Sequence, residues 1–326
     1  MYRPLAQDGI VRRLVEAAGA APSIHNTQPW RFRVTDELIE VHGDPDRMLW
    51  VADPRGRALH LSCGAALFNL RLAIRMLGAK PLVWPLPDPV GQPTLLACVE
   101  LEPGRPAASQ ERTMFDTIWQ RHTSRAPFCE VPVPESVRLR LEQEAAHEFA
   151  VLRMLNAGDA RTALDLAAAA GQQLAADFSH RVELGQWIAT EGDDGIPGDA
   201  LGYRPVAGQA PVRDFGYAPA ATVRPVGRYE RQPQLAVLAT PGDRPGDWLR
   251  AGQALERVLL AAACVGLATS LLYQQVELHD VAGRDGKWWP GPEWPQIIIR
   301  LGYGPTGTGS PRRGVDDVLD RQLRER

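Results

Sequence analysis

The chain has 326 residues, with 36 Lys plus Arg against 39 Asp plus Glu, for a formal net charge of −3. Its 44% hydrophobic and 23% charged residues are ordinary for a globular protein with a core of its own. The near-neutral balance excludes a general basic field for nucleic acid. Val258 to Ala268, the longest apolar run, is well short of the roughly 20 residues a membrane helix needs.

In chain order, Ile10, Val11, Leu14, Val15 and Ala18 form an apolar stripe that predicts a helix over 8–19. A turn-rich stretch, 21–30, leads into an alternating strand at 31–34, with a partner at 38–41. A long helix is expected over 57–78 and a compact strand over 94–101. The second half reads as a helix over 135–147, a strand over 149–155, a helix at about 161–190, a long helix over 248–268 and a strand over 296–301. No secretory h-region follows Met1, and the four cysteines share no CxxC spacing. They read as buried small hydrophobes in a reducing cytoplasm.

The two long helices match without gaps at an offset of 188: Gly64 on Gly252, Ala66 on Ala254, Leu67 on Leu255, Leu72 on Leu260, Ala73 on Ala261 and Gly78 on Gly266. Pro93-x-Leu95-Leu96 matches Pro295-x-Ile297-Ile298, and each strand is closed by a proline, Pro103 or Pro305. Two tandem copies of one α+β unit account for this order, divided as 1–110 and 111–326. A pseudo-two-fold would bury one copy against the other, as in a homodimer. One segment has no counterpart: 13 residues of 192–233 are Gly or Pro. Such a long loop is typically a lid or disordered, but Tyr203, Val206, Val212, Phe215, Tyr217 and Val223 favour packing on something.

Several strings carry chemistry or mimic it. Gly302-Tyr303-Gly304-Pro305-Thr306-Gly307 has the dinucleotide-binding spacing, but Pro305 and Pro311 leave no room for the helix that motif requires, so it reads as a turn. His42-Gly43-Asp44-Pro45-Asp46 offers metal ligands but reads better as a turn, and no metal is expected. Arg121-His122-Thr123-Ser124-Arg125 sets two guanidinium groups beside two hydroxyls, which suits a phosphate monoester and equally fits a solvated helix end. Pro22-Ser23-Ile24-His25-Asn26-Thr27-Gln28-Pro29-Trp30 is a proline-bounded turn able to approach a flat heterocycle, or a loop stapled by Trp30. Arg312-Arg313 either completes an anion site or faces water.

Taken together, the 22–30 string, Arg121 to Arg125, the Gly266-Leu267-Ala268-Thr269-Ser270 turn and Arg312-Arg313 resemble the nitroreductase family of flavoproteins. The fused layout with an insertion is similar to its Acg-type branch. The resemblance implies an FMN-dependent nitroreductase-like fold forming an intramolecular pseudo-dimer. It implies one complete FMN site per chain, because each copy keeps the half-motif that the other lacks. Arg121, Thr123 and Arg125 would hold the phosphate and ribityl end, with Arg312 and Arg313 adding charge. Pro22, Ser23, Ile24 and Asn26 would line the flavin from the other copy. Ser270, Leu271 and Leu272 would lie near its reactive edge and pyrimidine side, and the insertion would be a lid. No catalytic side chain is implied. The expected activity is NAD(P)H-dependent reduction of a nitroaromatic, quinone or similar acceptor; the alternative is a protein that stores FMN under a closed lid. A cytoplasmic monomer is expected, with no nucleic-acid or membrane partner.

Overall fold

A computed structural model describes residues 4–35, 37–188, 191–206, 212, 213, 215, 224–273, 289 and 291–320. Helix α1 (Asp8–Gly19) buries Val11, Leu14, Val15 and Ala18 against the first sheet. That sheet pairs β1 (Trp30–Val34), β2 (Leu38–Gly43), β3 (Ala79–Pro85) and β4 (Leu95–Pro103) in the order β1-β2-β4-β3, all antiparallel. Helix α2 (Arg57–Met76) runs between β2 and β3 and is buried along nearly its whole length.

The second half contains α3 (Ser109–Thr117), α4 (Glu135–Ala146), β5 (Val151–Met154), α5 (Ala157–Ala176), α6 (Phe178–Gly185) and a two-residue ladder of β6 (Arg204–Pro205) with β7 (Val226–Gly227). Then come β8 (Gln234–Thr240), α7 (Pro245–Cys264), β9 (Ala268–Leu272) and β10 (Trp294–Gly302). The second sheet has the order β5-β8-β10-β9, again antiparallel. Each sheet therefore runs first, second, fourth, third, with a 20-residue helix between its second and third strands.

Those two helices cross at the glycines that the sequence aligns. A Cβ on Gly64 would collide with the Leu249 carbonyl and lie 2.9 Å from the Gly252 Cα. A Cβ on Gly252 would collide with the Leu61 carbonyl. One core cluster lies between the first sheet, α1 and one face of α2; another joins the remaining face of α2 to α7 and the second sheet. The chain end returns to the first sheet, where β11 (Leu319–Asp320) pairs parallel with β1. Residues 302–318 thus carry the backbone from the second sheet to the first.

The halves differ at the connection between their first two strands. β1 and β2 join through a short hairpin, whereas β5 and β8 are separated by α5, α6 and the Gly/Pro-rich segment. The helix expected at about 161–190 is two helices, broken at Asp177, whose carboxylate caps α6 by accepting from Ser179 N and His180 N at 2.8 and 3.1 Å. The helix expected to reach 268 stops at Cys264 before Gly266, whose φ is +73°, and 268–272 is a strand. Helix α3 and strands β3 and β8 carried no sequence expectation. Strand β8 is apolar on both faces because α5 covers the outer side of the second sheet through Ala160 and Ala163, so it lacks the alternation of a half-buried strand.

The 302–307 glycines form a turn rather than a cofactor loop. Gly302 and Gly304 give the backbone room over the Phe128 ring, and Gly307 lies against the Thr123 carbonyl. Asp44 accepts from Asp46 N at 3.2 Å and pairs with Arg31, and no metal-ligand cluster occurs among the described residues. All four cysteines are free; Cys63 is buried, but Cys129 is exposed, unlike the buried hydrophobe expected there. Among the described residues, no helix is long and apolar enough to cross a membrane.

Candidate cofactor site

A cleft of about 980 Å³, open solvent at its mouth included, lies between the halves. The 22–26 turn and the first turns of α2 form one wall. Arg121, His122, Thr123, Arg125, Leu255, Leu271 and Ile297 form another. Ile196, Arg213 and Phe215 of the insertion, with Thr308, Ser310 and Arg312 of the tail, complete it. Four arginines line this space, 121, 125, 213 and 312, and no carboxylate does among the described residues.

Three residues of the 22–28 turn hold a left-handed backbone without being glycine: His25, Asn26 and Gln28, at φ 47°, 56° and 48°. Each costs about 1 kcal/mol or more, so the surroundings must impose the shape. Ser23 Oγ accepts from Gln28 N at 2.9 Å, and Ser62 Oγ accepts from Ile24 N at 3.2 Å. Asn26 donates to the carbonyls of Gly195 and Pro311, both at 2.9 Å, and accepts from Arg312 Nη1 at 2.9 Å. Its amide therefore ties the turn to the insertion and the tail.

On the facing wall, Ser124 N donates to Thr269 O at 2.8 Å, which pins 121–125 to β9. The alternation of β9 puts Leu271 on the cavity and turns Ser270 and Leu272 to the opposite face, where Leu272 joins the layer under α5. Arg313 is also off the cavity: its backbone N donates to Gln28 Oε1 at 2.8 Å and its guanidinium to Asp317 O at 2.6 Å. The structure thus gathers Pro22, Ser23, Ile24, Asn26, Arg121, Thr123, Arg125, Leu271 and Arg312 around one space and leaves Ser270, Leu272 and Arg313 outside it.

The arginines form two groups. Arg125 donates to Ala200 O at 2.8 Å and stands 5.4 Å from the Phe215 ring centroid. Burial and the neighbouring Arg213 and Arg224 bring it down to about 10. Arg312 is brought down to about 10 by burial and by Arg121. Arg121 is 4% exposed and makes no side-chain hydrogen bond among the described residues; its nearest acidic partner is Glu256 Oε2, 3.6 Å from Nε. A buried guanidinium without hydrogen bonds is costly unless an anion completes it. His25 is held well below its ordinary value by burial and then by Arg213, so it faces the cavity neutral, with its Nε2 unpartnered.

Phe215 serves two purposes. It packs with Leu184, Ile188, Ile196, Ala200 and Leu201 in a small core of the insertion, and it also lines the cleft. Tyr203 lies outside the cavity lining, and Tyr217 and Val223 fall outside the described residues. Arg213 and Glu256 were not singled out from the sequence. The only signal for Glu256 was an acid on a helix that otherwise reads as core.

The chain is thus a two-sheet α+β protein with an arginine-lined cleft between its halves. The chain is 32% identical over 319 residues to "Putative NAD(P)H nitroreductase acg" of Mycobacterium tuberculosis, covering 95% of each. It is 31% identical over 325 residues to a second "Putative NAD(P)H nitroreductase" of that organism, covering 95% of this chain and 91% of that one. No family model matches. A "putative nitroreductase" from Anabaena variabilis aligns over 93% of this chain and 91% of its own, at 12% identity and a TM-score of 0.48. A nitroreductase with bound FMN from Desulfitobacterium hafniense aligns over 63% and 95%, at 12% identity and a TM-score of 0.40. The chain belongs to the nitroreductase family.

Proposed function

We propose that this chain is an FMN-binding oxidoreductase that takes reducing equivalents from NAD(P)H and passes them to a nitroaromatic, quinone or similar small acceptor. The observation that carries the reading is the Arg121 side chain, buried on the cavity wall without a hydrogen bond, in a space lined by four arginines and no acid among the described residues. The names of the M. tuberculosis relatives support the NAD(P)H part of it.

The residues fit a flavin mononucleotide. Arg121 and Arg312 supply charge for the phosphate, with the Thr123 hydroxyl beside them. Arg125 and Arg213 form a separate cationic group that favours negative charge at the other end of the ligand. Pro22, Ser23, Ile24 and Leu271 offer flat, mostly apolar surface for a ring system. When bound, FMN supplies the electron-transfer chemistry; the protein supplies position, electrostatics and access. We also read the two like-ordered sheets as copies of one fused unit, so that a single chain contains both sides of the site and works as a monomer.

A second reading, storage of FMN, is favoured by the insertion. Asp193, Asp194 and Gly195 are hydrogen-bonded to the 26–28 turn and Arg47, and Ile196, Arg213 and Phe215 roof the cleft. Anaerobic titration of the FMN-saturated protein with NADPH and NADH separates the two. Bleaching of the flavin band supports the reductase. A band that persists under both but yields to dithionite supports storage. Failure to bind FMN removes both.

A further inference from the structure

Glu256 is fully buried on α7, and neither of its carboxylate oxygens is within hydrogen-bonding geometry of a partner among the described residues. It faces Arg121 from the segment after α3, Arg312 from the tail and the Asn69 amide from α2. The cavity-facing His122 is close to the same two arginines. A purely structural buried pair is built differently: Arg300 and Glu230 share two charge-assisted bonds at 2.5 and 2.7 Å. Glu256 stands off at 3.6 Å from Arg121, so the guanidinium keeps its N–H groups for another partner.

Charge balance sets the consequence of that partner's arrival. Without ligand, two cations face one carboxylate. A phosphate monoester dianion beside them makes two cations face three negative charges around a buried carboxylate, which leaves an excess negative charge that buried surroundings penalise. One proton on the carboxylate removes it. We propose that seating a phosphate dianion at Arg121 and Arg312 draws one proton from solvent onto Glu256, so that phosphate binding and the buried carboxyl form one linked unit. The proposal rests on the reading of this cleft as an FMN site.

Burial already pushes the free-state carboxyl up to about 7, so the group is poised to take the proton near neutral pH. The liganded state holds more protons than the free state, so FMN affinity falls as pH rises above about 7, by at most tenfold per pH unit. Below about pH 6 the phosphate loses its second charge, and affinity falls again. His122 is pushed below its ordinary value by burial and the same arginines, so its own titration lies on the acid side of this window.

The test is FMN binding by fluorescence quenching from pH 6.5 to 8.5, with riboflavin as the probe that lacks the phosphate. Calorimetry at pH 7.5 in two buffers of different ionisation heat counts the protons. The expected result is a Kd for FMN that weakens with pH, uptake of up to one proton per FMN, and neither effect with riboflavin. Glu256→Gln should bind FMN about tenfold more tightly than wild type at pH 8, with a flat profile. His122→Gln should keep the uptake, and serves if Glu256→Gln does not fold. FMN binding without proton uptake overturns the proposal alone, as does a Glu256→Gln variant that is weaker at every pH with the slope retained. No FMN binding at any pH overturns the functional reading as well.

Discussion

Arg300 and Arg121 are both buried arginines facing a buried glutamate, and their surroundings are opposite. Arg300 is saturated: it holds Glu230 through two bonds, donates twice to Ala126 O at 3.1 Å and stacks 3.6 Å from the Phe128 centroid. Glu230 in turn accepts from Phe128 N at 3.0 Å. This knot locks the far end of the insertion to β10. The Arg121 side chain has one loose ion pair and no hydrogen bond among the described residues. Burial alone does not separate a structural arginine from a ligand-binding one; whether its donors are already used does.

The largest effect that would break this contrast is at the saturated pair. Arg300→Ala leaves Glu230 buried without its counter-charge, and should cost about 3–5 kcal/mol in urea unfolding. A loss under about 1 kcal/mol would mean that the knot is decorative. Next comes the pH dependence of stability at Glu256. Its folded-state value of about 7 lies above the ordinary 4.5, so the folded state favours the protonated form. The contribution of Glu256 to stability is therefore present below about pH 4.5 and lost as pH rises to about 7, up to about 3 kcal/mol in all. Wild type minus Glu256→Gln, measured across that window, should show this slope.

Smaller in free energy, but decisive for function, are the cavity arginines. Arg121→Ala and Arg125→Ala should each weaken FMN binding by about 1.5–3 kcal/mol, read as a tenfold or larger rise in Kd. Arg121→Ala should unfold at nearly the wild-type urea concentration, unlike Arg300→Ala. Equal stability losses in the two variants would erase the distinction between them.

Part of this site was legible in the residues. The 22–30 and 121–125 strings each left a bland reading open, and only their joint resemblance to one family pointed to a ligand; the structure brings both to one cleft. The helix repeat was legible because Gly64 and Gly252 must meet where two backbones touch. What was not legible depends on long-range packing. Ser270 and Leu272 look like neighbours of Leu271 until strand alternation separates them. Glu256 acquires its character only through burial among residues distant in sequence, with Arg121 folded against it. Strand β8 lost its alternating signature because α5 covers its second face.

The smallest expected effect sharpens the comparison at the roof of the cleft. Arg47 donates to Thr27 O at 2.7 Å, pairs with Asp194 at 2.8 Å and stands 5.6 Å from the Trp187 centroid. It is one of several links between the insertion and the 26–28 turn; the others run from Asn26 to Gly195 and from Gln28 to Asp193. A partly exposed pair of this kind is worth about 0.5–1 kcal/mol, so Arg47→Ala should leave global unfolding almost unchanged. If the insertion closes over a bound ligand, the same loss appears in the opening step. FMN release should then quicken about two- to fivefold in stopped-flow exchange, with hydrogen exchange rising over 191–206. The Arg121 group does not touch Arg47, so the pH profile of FMN affinity should keep its shape. Faster release with an unaltered profile would locate the gate in the insertion and the anion grip in the arginines beneath it. Unchanged release would move the grip of the insertion to the Glu230 knot.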